Sequence, residues 1–444
     1  MKRSWLEQAE PTVSPPEISI AIVLEIVSIL LAVTAVLAFI NTRFLRQPPA
    51  IGLLITALCS ALVVKALGVL GLVNLNPILA LLRELDFRAA LLDGMLGLLL
   101  FAAALHVDPA QLRAQVKPIA ALATLGTLIS AVLIATAVVW IGAAIGTPVP
   151  IVWAVAFGVL IAPTDPIAVA ALLRSAGVPN ALQKTITGES LFNDGIGVVL
   201  FLAVLTTIEQ GVVPGAGEIA RLLGVEIIGG LAFGLGLGWV AVRMLRQIDE
   251  YQTEILLTLA FAFAGFTLAR YLHVSGVLGM VVLGLVIGRQ GGDDVISVVT
   301  KRRLDDFWEL IDEFLNAGLF VLIGVEILVI DVRPAALLLG LLLIPVIVAV
   351  RWVSVAGVVW PMRHALQWPA GSIGLVTWAG VRGGISIALA LALPAHPLRT
   401  TLLAATYVVV CFSIVVQGLT VGWVARRLLG AAVQSAEDEP QAPS

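Results

Sequence analysis

Ile161-Ala162-Pro163-Thr164-Asp165-Pro166 lies in the middle of an apolar stretch covering 150–175. Two prolines three residues apart withdraw two backbone donors and block the local i→i−4 pattern, so a regular helix cannot run through this point. On either side the residues are those of a buried helix, from Ile151-Val152-Trp153 to Ala168-Val169-Ala170. A helix broken near its centre satisfies both observations. What such a break means depends on the solvent around it, and the rest of the chain identifies that solvent.

Of the 444 residues, 60% are hydrophobic and only 12% charged, and the mean hydropathy is +1.06. A soluble domain carries roughly 25% charged residues. There are too few charges here to clothe a water-facing surface, so most of the surface must face lipid. A membrane-spanning helix needs about 20 apolar residues. Thirteen stretches qualify, near 18–40, 49–72, 88–106, 117–145, 150–175, 180–208, 218–245, 252–272, 275–289, 308–330, 335–360, 368–393 and 399–428. The least regular are 88–106, interrupted by Asp93, and 275–289, which is short and rich in glycine. The first stretch is longer than a signal-peptide core and is followed by Arg43 and Arg46 rather than a cleavage site, so it reads as a retained span.

This division predicts an external N-terminal segment over 1–17, a transmembrane domain over 18–428 and a disordered cytoplasmic tail over 429–444. Loops sharing a side with the C-terminus carry fifteen of the lysines and arginines, against eight on the other side. That bias predicts a cytoplasmic C-terminus and an external N-terminus in the cell (inner) membrane. The net charge of −3 and the lack of a basic face argue against nucleic acid. Cys59 and Cys411 fall in apolar stretches with no partner at metal-ligand spacing, so both are expected simply to pack.

In lipid, unpaired backbone is tolerable only where it faces protein or a water-filled cavity. Unwound carbonyls and half-helix ends are also the parts from which transporters build cation sites. A simple proline kink, with Thr164 capping Asp165, accounts for the motif alone equally well. The ionisable residues tip the balance, because each one placed at mid-membrane needs a partner, a cavity or a function. Arg174, Arg243 and Arg270 lie near helix ends, where their heads reach the interface. Four others lie deep: Asp165, Glu189, Asp194 and Arg382.

Glu189 and Asp194 belong to Thr187-Gly188-Glu189-Ser190-Leu191-Phe192-Asn193-Asp194-Gly195. At helical spacing Ser190 and Asp194 share one face, while Glu189 leaves the helix about 140° away from Asp194. The helix therefore offers Ser190 and Asp194 oxygens to an ion while Glu189 pairs elsewhere. Arg382 sits in Trp378-Ala379-Gly380-Val381-Arg382-Gly383-Gly384-Ile385-Ser386, where glycines mark a second weakened helix in the other half of the chain. Interrupted helices at corresponding positions of two halves point to an inverted-repeat transporter site. Arg382 needs an anion, and Glu189 is the expected partner in a structural ion pair.

Thr164-Asp165-Pro166, Gly188 to Gly195 and Val381-Arg382-Gly383-Gly384-Ile385 resemble the signatures of NhaP-type cation:proton antiporters. Phe320-Val321-Leu322-Ile323-Gly324-Val325-Glu326, and Leu98-Leu99-Leu100-Phe101 before Leu105, are similar to further stretches common in that family. The likeness is collinear over 18–428. It implies an all-α integral membrane protein of thirteen helices with inverted repeats, its two broken helices crossing at 164–166 and around 380–384. It also implies a homodimer built from an interface domain and a mobile core domain. The cation and proton site is expected at Asp194, Ser190, Thr164 and nearby carbonyls, with Asn193 and Asp165 interacting across two helices. Relatives often carry a carboxylate soon after the residue matching Phe101. Here the chain reads Ala102-Ala103-Ala104, one acidic ligand fewer.

The expected activity is exchange of Na+, Li+ or K+ for protons, both competing for Asp194, with pH homeostasis as its use. No cofactor or ATP chemistry is needed. With asparagine at 193 a single carboxylate cycles, which predicts one cation per proton and no net charge moved. A Na+- or H+-coupled solute symporter is the closest rival, since it would use the same broken helices. Nothing resembles a channel selectivity filter. An intramembrane enzyme is disfavoured because His106, His273, His364 and His396 lie near loops without ligand spacing.

Overall fold

The structure is a computed structural model and describes residues 20–84, 89–165, 167–212, 215–289, 298–330, 333–366 and 368–430. The N-terminal segment 1–17, nearly all of the 429–444 tail, and Pro166 lie outside the described residues. All regular structure among the described residues is helical. Each of the thirteen apolar stretches carries helix. Among the described residues, eight helices are long and apolar enough to cross a membrane, including Pro49–Val69, Asn180–Gln210 and Tyr251–Tyr271. Ala90–Leu105, Ile151–Ile161 and Gly276–Arg289 are shorter apolar helices.

Local chemistry sets the ends. Pro49, Pro334 and Pro397 each stand in the first turn of their helices, where the missing N–H has no intrahelical acceptor to lose. The Asn180–Gln210 helix stops at Gly211, whose φ of 66° donates its N–H back to Thr207 in a left-handed cap. On the outside of the bundle, large apolar side chains such as Leu31, Phe39, Trp140, Ile228 and Trp239 stand exposed. In water that surface would aggregate, whereas in a bilayer it is the solvated face.

Inside, two broken helices cross, one in each half of the chain. The first comprises Ile151–Ile161 and Ile167–Ser175, the second Ser372–Trp378 and Gly384–Leu391. The Asn180–Gln210 helix packs on the first, and the Pro334–Val359 and Pro397–Phe412 helices close around the second. Glycines bring backbones together where lipid supplies no driving force for association. Gly284 and Gly288, for example, lie against the carbonyls of Phe101 and Leu105. A smaller apolar cluster is centred on Trp308, whose ring meets Phe101 edge-on at 4.6 Å between centroids.

Candidate cation and proton site

The first break begins with a missing donor. The carbonyl of Ala162 would accept from residue 166, which is a proline with no N–H. Arg382 supplies the bond instead. Its Nη1 donates to the carbonyls of Ala162 at 2.6 Å and Pro163 at 2.9 Å. The guanidinium thus stands at the C-terminal end of Ile151–Ile161, where the helix dipole is negative. The Asp165 N–H donates to the carbonyl of Val381 at 2.7 Å, joining the two breaks backbone to backbone.

The second break is held in a matching way. The Arg382 N–H donates to Ser413 Oγ at 2.9 Å, Ser413 donates to Gln417 Oε1, and Gln417 Nε2 donates to the carbonyl of Trp378 at 3.4 Å. Ser413–Gln417 is a widened π-type turn, a feature frequent at functional sites. At Gly383 a Cβ would lie 2.0 Å from Asp165 Oδ2. The Asp165 carboxylate therefore occupies the space of a side chain at the N-cap of Gly384–Leu391, the positive end of that helix dipole. The C-terminal end of Ile151–Ile161 and the N-terminal end of Gly384–Leu391 thus each face a charge of opposite sign.

Gly383→Ala follows as a test of that fit. The backbone at 383 is extended, with φ −111° and ψ −163°, which alanine adopts freely, so any effect must come from overlap with Asp165. Exchange per folded protein in proteoliposomes is expected to fall by about tenfold or more. Wild-type rates would show that the two pieces are less tightly joined than drawn.

Around the breaks, Thr164, Ser190 and Asn193 form one bonded group. The hydroxyls of Thr164 and Ser190 are 2.9 Å apart, Asn193 Nδ2 donates to Thr164 Oγ1 at 3.0 Å, and the Thr164 N–H donates to Asn193 Oδ1 at 3.3 Å. The bonds of Asn193 thus run to Thr164, the neighbour of the aspartate expected as its partner. Asp165 and Asp194 are 7% and 6% exposed, and the charges acting on Asp194 are those of Asp165 and Arg382. All five candidate ligands are brought together. They offer carboxylate, hydroxyl and amide oxygens, a donor set suited to a hard cation. Ala102 and Ala104 are fully buried, Ala102 against the Trp308 cluster and Ala104 against Gly284.

Residues 29–427 match the family described as sodium/hydrogen exchanger, transmembrane. The chain belongs to the sodium/hydrogen exchanger family. It is 43% identical over 414 residues to the Na(+)/H(+) antiporter NhaP of Pseudomonas aeruginosa, an alignment covering 91% of this chain and 97% of that one. The Na(+)/H(+) antiporter NhaH of Halobacillus dabanensis is 33% identical over 403 residues, covering 88% and 94%. In fold, the exchanger is similar to the sodium proton antiporter MjNhaP1 from Methanocaldococcus jannaschii at pH 8. The TM-score is 0.73 at 17% identity, covering 92% of this chain and 100% of that one.

One expectation is corrected. The anion partner of Arg382 is not Glu189. In the exchanger Glu189 makes a bidentate pair with Arg351, Nη1 to Oε1 at 2.5 Å and Nη2 to Oε2 at 2.7 Å. The reason lies in what each group needs. Arg382 turns its Nη1 to the carbonyls of Ala162 and Pro163 at the break, while Glu189, turned well away from Asp194 on its helix, meets the guanidinium from Pro334–Val359. Gly380 makes room for that arm, since a Cβ there would lie 2.7 Å from Arg351 Nε. A signal for Arg351 was present in the sequence. Its apolar helix continues for eight residues beyond it, to Val359, so this arginine is as deep as the four singled out.

Proposed function

We propose that the chain is a secondary active antiporter exchanging Na+ for H+, with the two ions competing for Asp194. The observation that carries this reading is a buried carboxylate beside the hydroxyls of Ser190 and Thr164, at two broken helices, each of which has one half-helix end already facing an opposite charge. Relatives named as Na(+)/H(+) antiporters support the ion pair exchanged. A carboxylate in a site closed from water is costly when charged and empty. Either a proton or a monovalent cation removes that cost, so crossings occur only when loaded. Coupling follows without a cofactor or ATP. Thr164, Ser190 and backbone carbonyls complete the coordination of the transported cation, while Asn193 and Asp165 hold the frame.

Orientation follows the lysine and arginine bias, with the N-terminus external and the C-terminus cytoplasmic in the inner membrane, and the working unit is a homodimer. The basic test is proton release from acid-loaded vesicles on addition of Na+, Li+ or K+. Dequenching by none of them would overturn the reading.

The stoichiometry follows from which carboxylates are free to cycle. Glu189 is bound to Arg351, Asp165 faces a helix N-terminus, and residue 193 is an asparagine. Asp194 alone alternates, so each turnover moves one positive charge each way. Na+ uptake in proteoliposomes is expected to be insensitive to an imposed membrane potential, with no steady current on a supported membrane. A potential-driven flux would mean that a second carboxylate titrates through the cycle.

A further inference from the structure

The Val298–Glu326 helix carries a polar stripe that the exchange mechanism above does not use. Its inward face bears Trp308, Asp312 and Asn316 at successive helical turns, followed by the buried Leu319 and Ile323. The stripe leads to the crossing. Leu319 and Ile323 pack on Gly384, beside the Gly383 that touches the Asp165 carboxylate, and the charges of Asp312 and Asp165 act on each other. At its other end the stripe approaches His106, whose Nε2 meets the carbonyl of Asp305 at 3.3 Å and whose Nδ1 meets that of Ala102 at 2.8 Å. This end carries Lys301, Arg302 and Arg303, which the lysine and arginine bias places on the side of the C-terminus.

Asp312 and Asn316 are one helical turn apart, and their side chains are hydrogen-bonded to each other. Asp312 Oδ1 and Asn316 Oδ1 are both buried with no hydrogen-bond partner. Asn316 as a whole is only 6% exposed. A buried acceptor without a donor carries the full desolvation penalty, and two on one face call for a cation. An oxygen-only pair with one negative charge, set one turn apart on one helix face, suits a partly dehydrated monovalent ion and lacks the ligands a divalent ion would demand.

We propose that Asp312 Oδ1 and Asn316 Oδ1 form a second cation station between the Lys301 face and Asp194, which takes Na+ or a similar monovalent cation and passes it to the exchange site. The inference rests on the antiport reading for its direction of traffic, but its central claim is a count of bound ions. The station is weaker than the exchange site, because it has one charge and two fixed oxygens and the rest of its shell is water.

The test is equilibrium binding of radioactive Na+ to the purified full chain at high pH, with exchange measured on the same preparation. Wild type should bind two ions per chain, one tightly and one at least tenfold more weakly. Asp312→Asn keeps size and hydrogen bonding and should bind one, retaining the tight ion. Asn316→Leu should weaken the second ion by about tenfold. Asp194→Asn should keep the weak ion and lose the tight one. A single ion in wild type, or a second ion that survives Asp312→Asn, overturns the station. Absence of Na+-driven proton release from wild type would instead overturn the antiport reading, whatever the ion count.

Discussion

Asp194→Asn is expected to reduce Na+-dependent proton release to the level of empty liposomes. The substitution keeps the shape of the side chain and removes only its ability to alternate between a proton and a cation. An asparagine is permanently neutral, so the site no longer distinguishes loaded from empty. The folded protein should survive, because the change replaces a buried charged group, 6% exposed, by a neutral one of equal volume. Yield and thermal unfolding close to wild type are therefore part of the expectation, and they separate a dead site from a collapsed one. Ser190→Ala and Thr164→Val should be milder. Each removes one neutral oxygen and should raise the half-saturating Na+ concentration by several-fold, the size of one hydrogen-bond-like contact. Cation-driven proton flux near the wild-type rate in Asp194→Asn would sink the central assignment, and attention would move to Asp165.

The membrane class and the two breaks were legible because each rests on local chemistry. Two prolines around Thr164-Asp165 forbid a continuous helix in any fold, and the glycines around Arg382 mark the second weak point just as directly. That Ser190 and Asp194 share a face follows from helical spacing alone. The partners across helices were less legible. Choosing Glu189 for Arg382 treated an arginine as a charge seeking a charge, when the unpaired carbonyls of Ala162 and Pro163 were the stronger demand. That demand was itself readable, since Pro166 leaves the Ala162 carbonyl without a helical donor. Arg351 was not singled out, although the apolar residues on both sides of it set it well inside its helix. Ser413 and Gln417 carried no sequence signal. Their role depends on a widened turn and on a neighbour 31 residues away, both products of tertiary packing. The oxygens of Asp312 and Asn316 likewise drew no notice, because a charged residue about one turn inside the apolar stretch 308–330 reads as solvated until its burial is known.

Arg351→Gln should cost most of the folded protein. Removing one partner of a buried pair strands the other, and Glu189 is fully buried with both oxygens committed to this guanidinium. Such a loss is worth about 3–5 kcal/mol, against a total stability of about 5–15 kcal/mol for a typical domain. The double change Glu189→Gln with Arg351→Gln removes both charges and should recover a large part of the yield, measured by size-exclusion chromatography of a fluorescent fusion and by thermal unfolding. Arg382→Gln provides the contrast. It leaves the carbonyls of Ala162 and Pro163 without a donor but strands no carboxylate at Glu189, so adding Glu189→Gln should not rescue it and should lower the yield further by stranding Arg351. If Glu189→Gln instead rescued Arg382→Gln and left Arg351→Gln unimproved, the pairing would be the reverse of the one described. The two rescues therefore decide which arginine holds Glu189, independently of any measurement of transport.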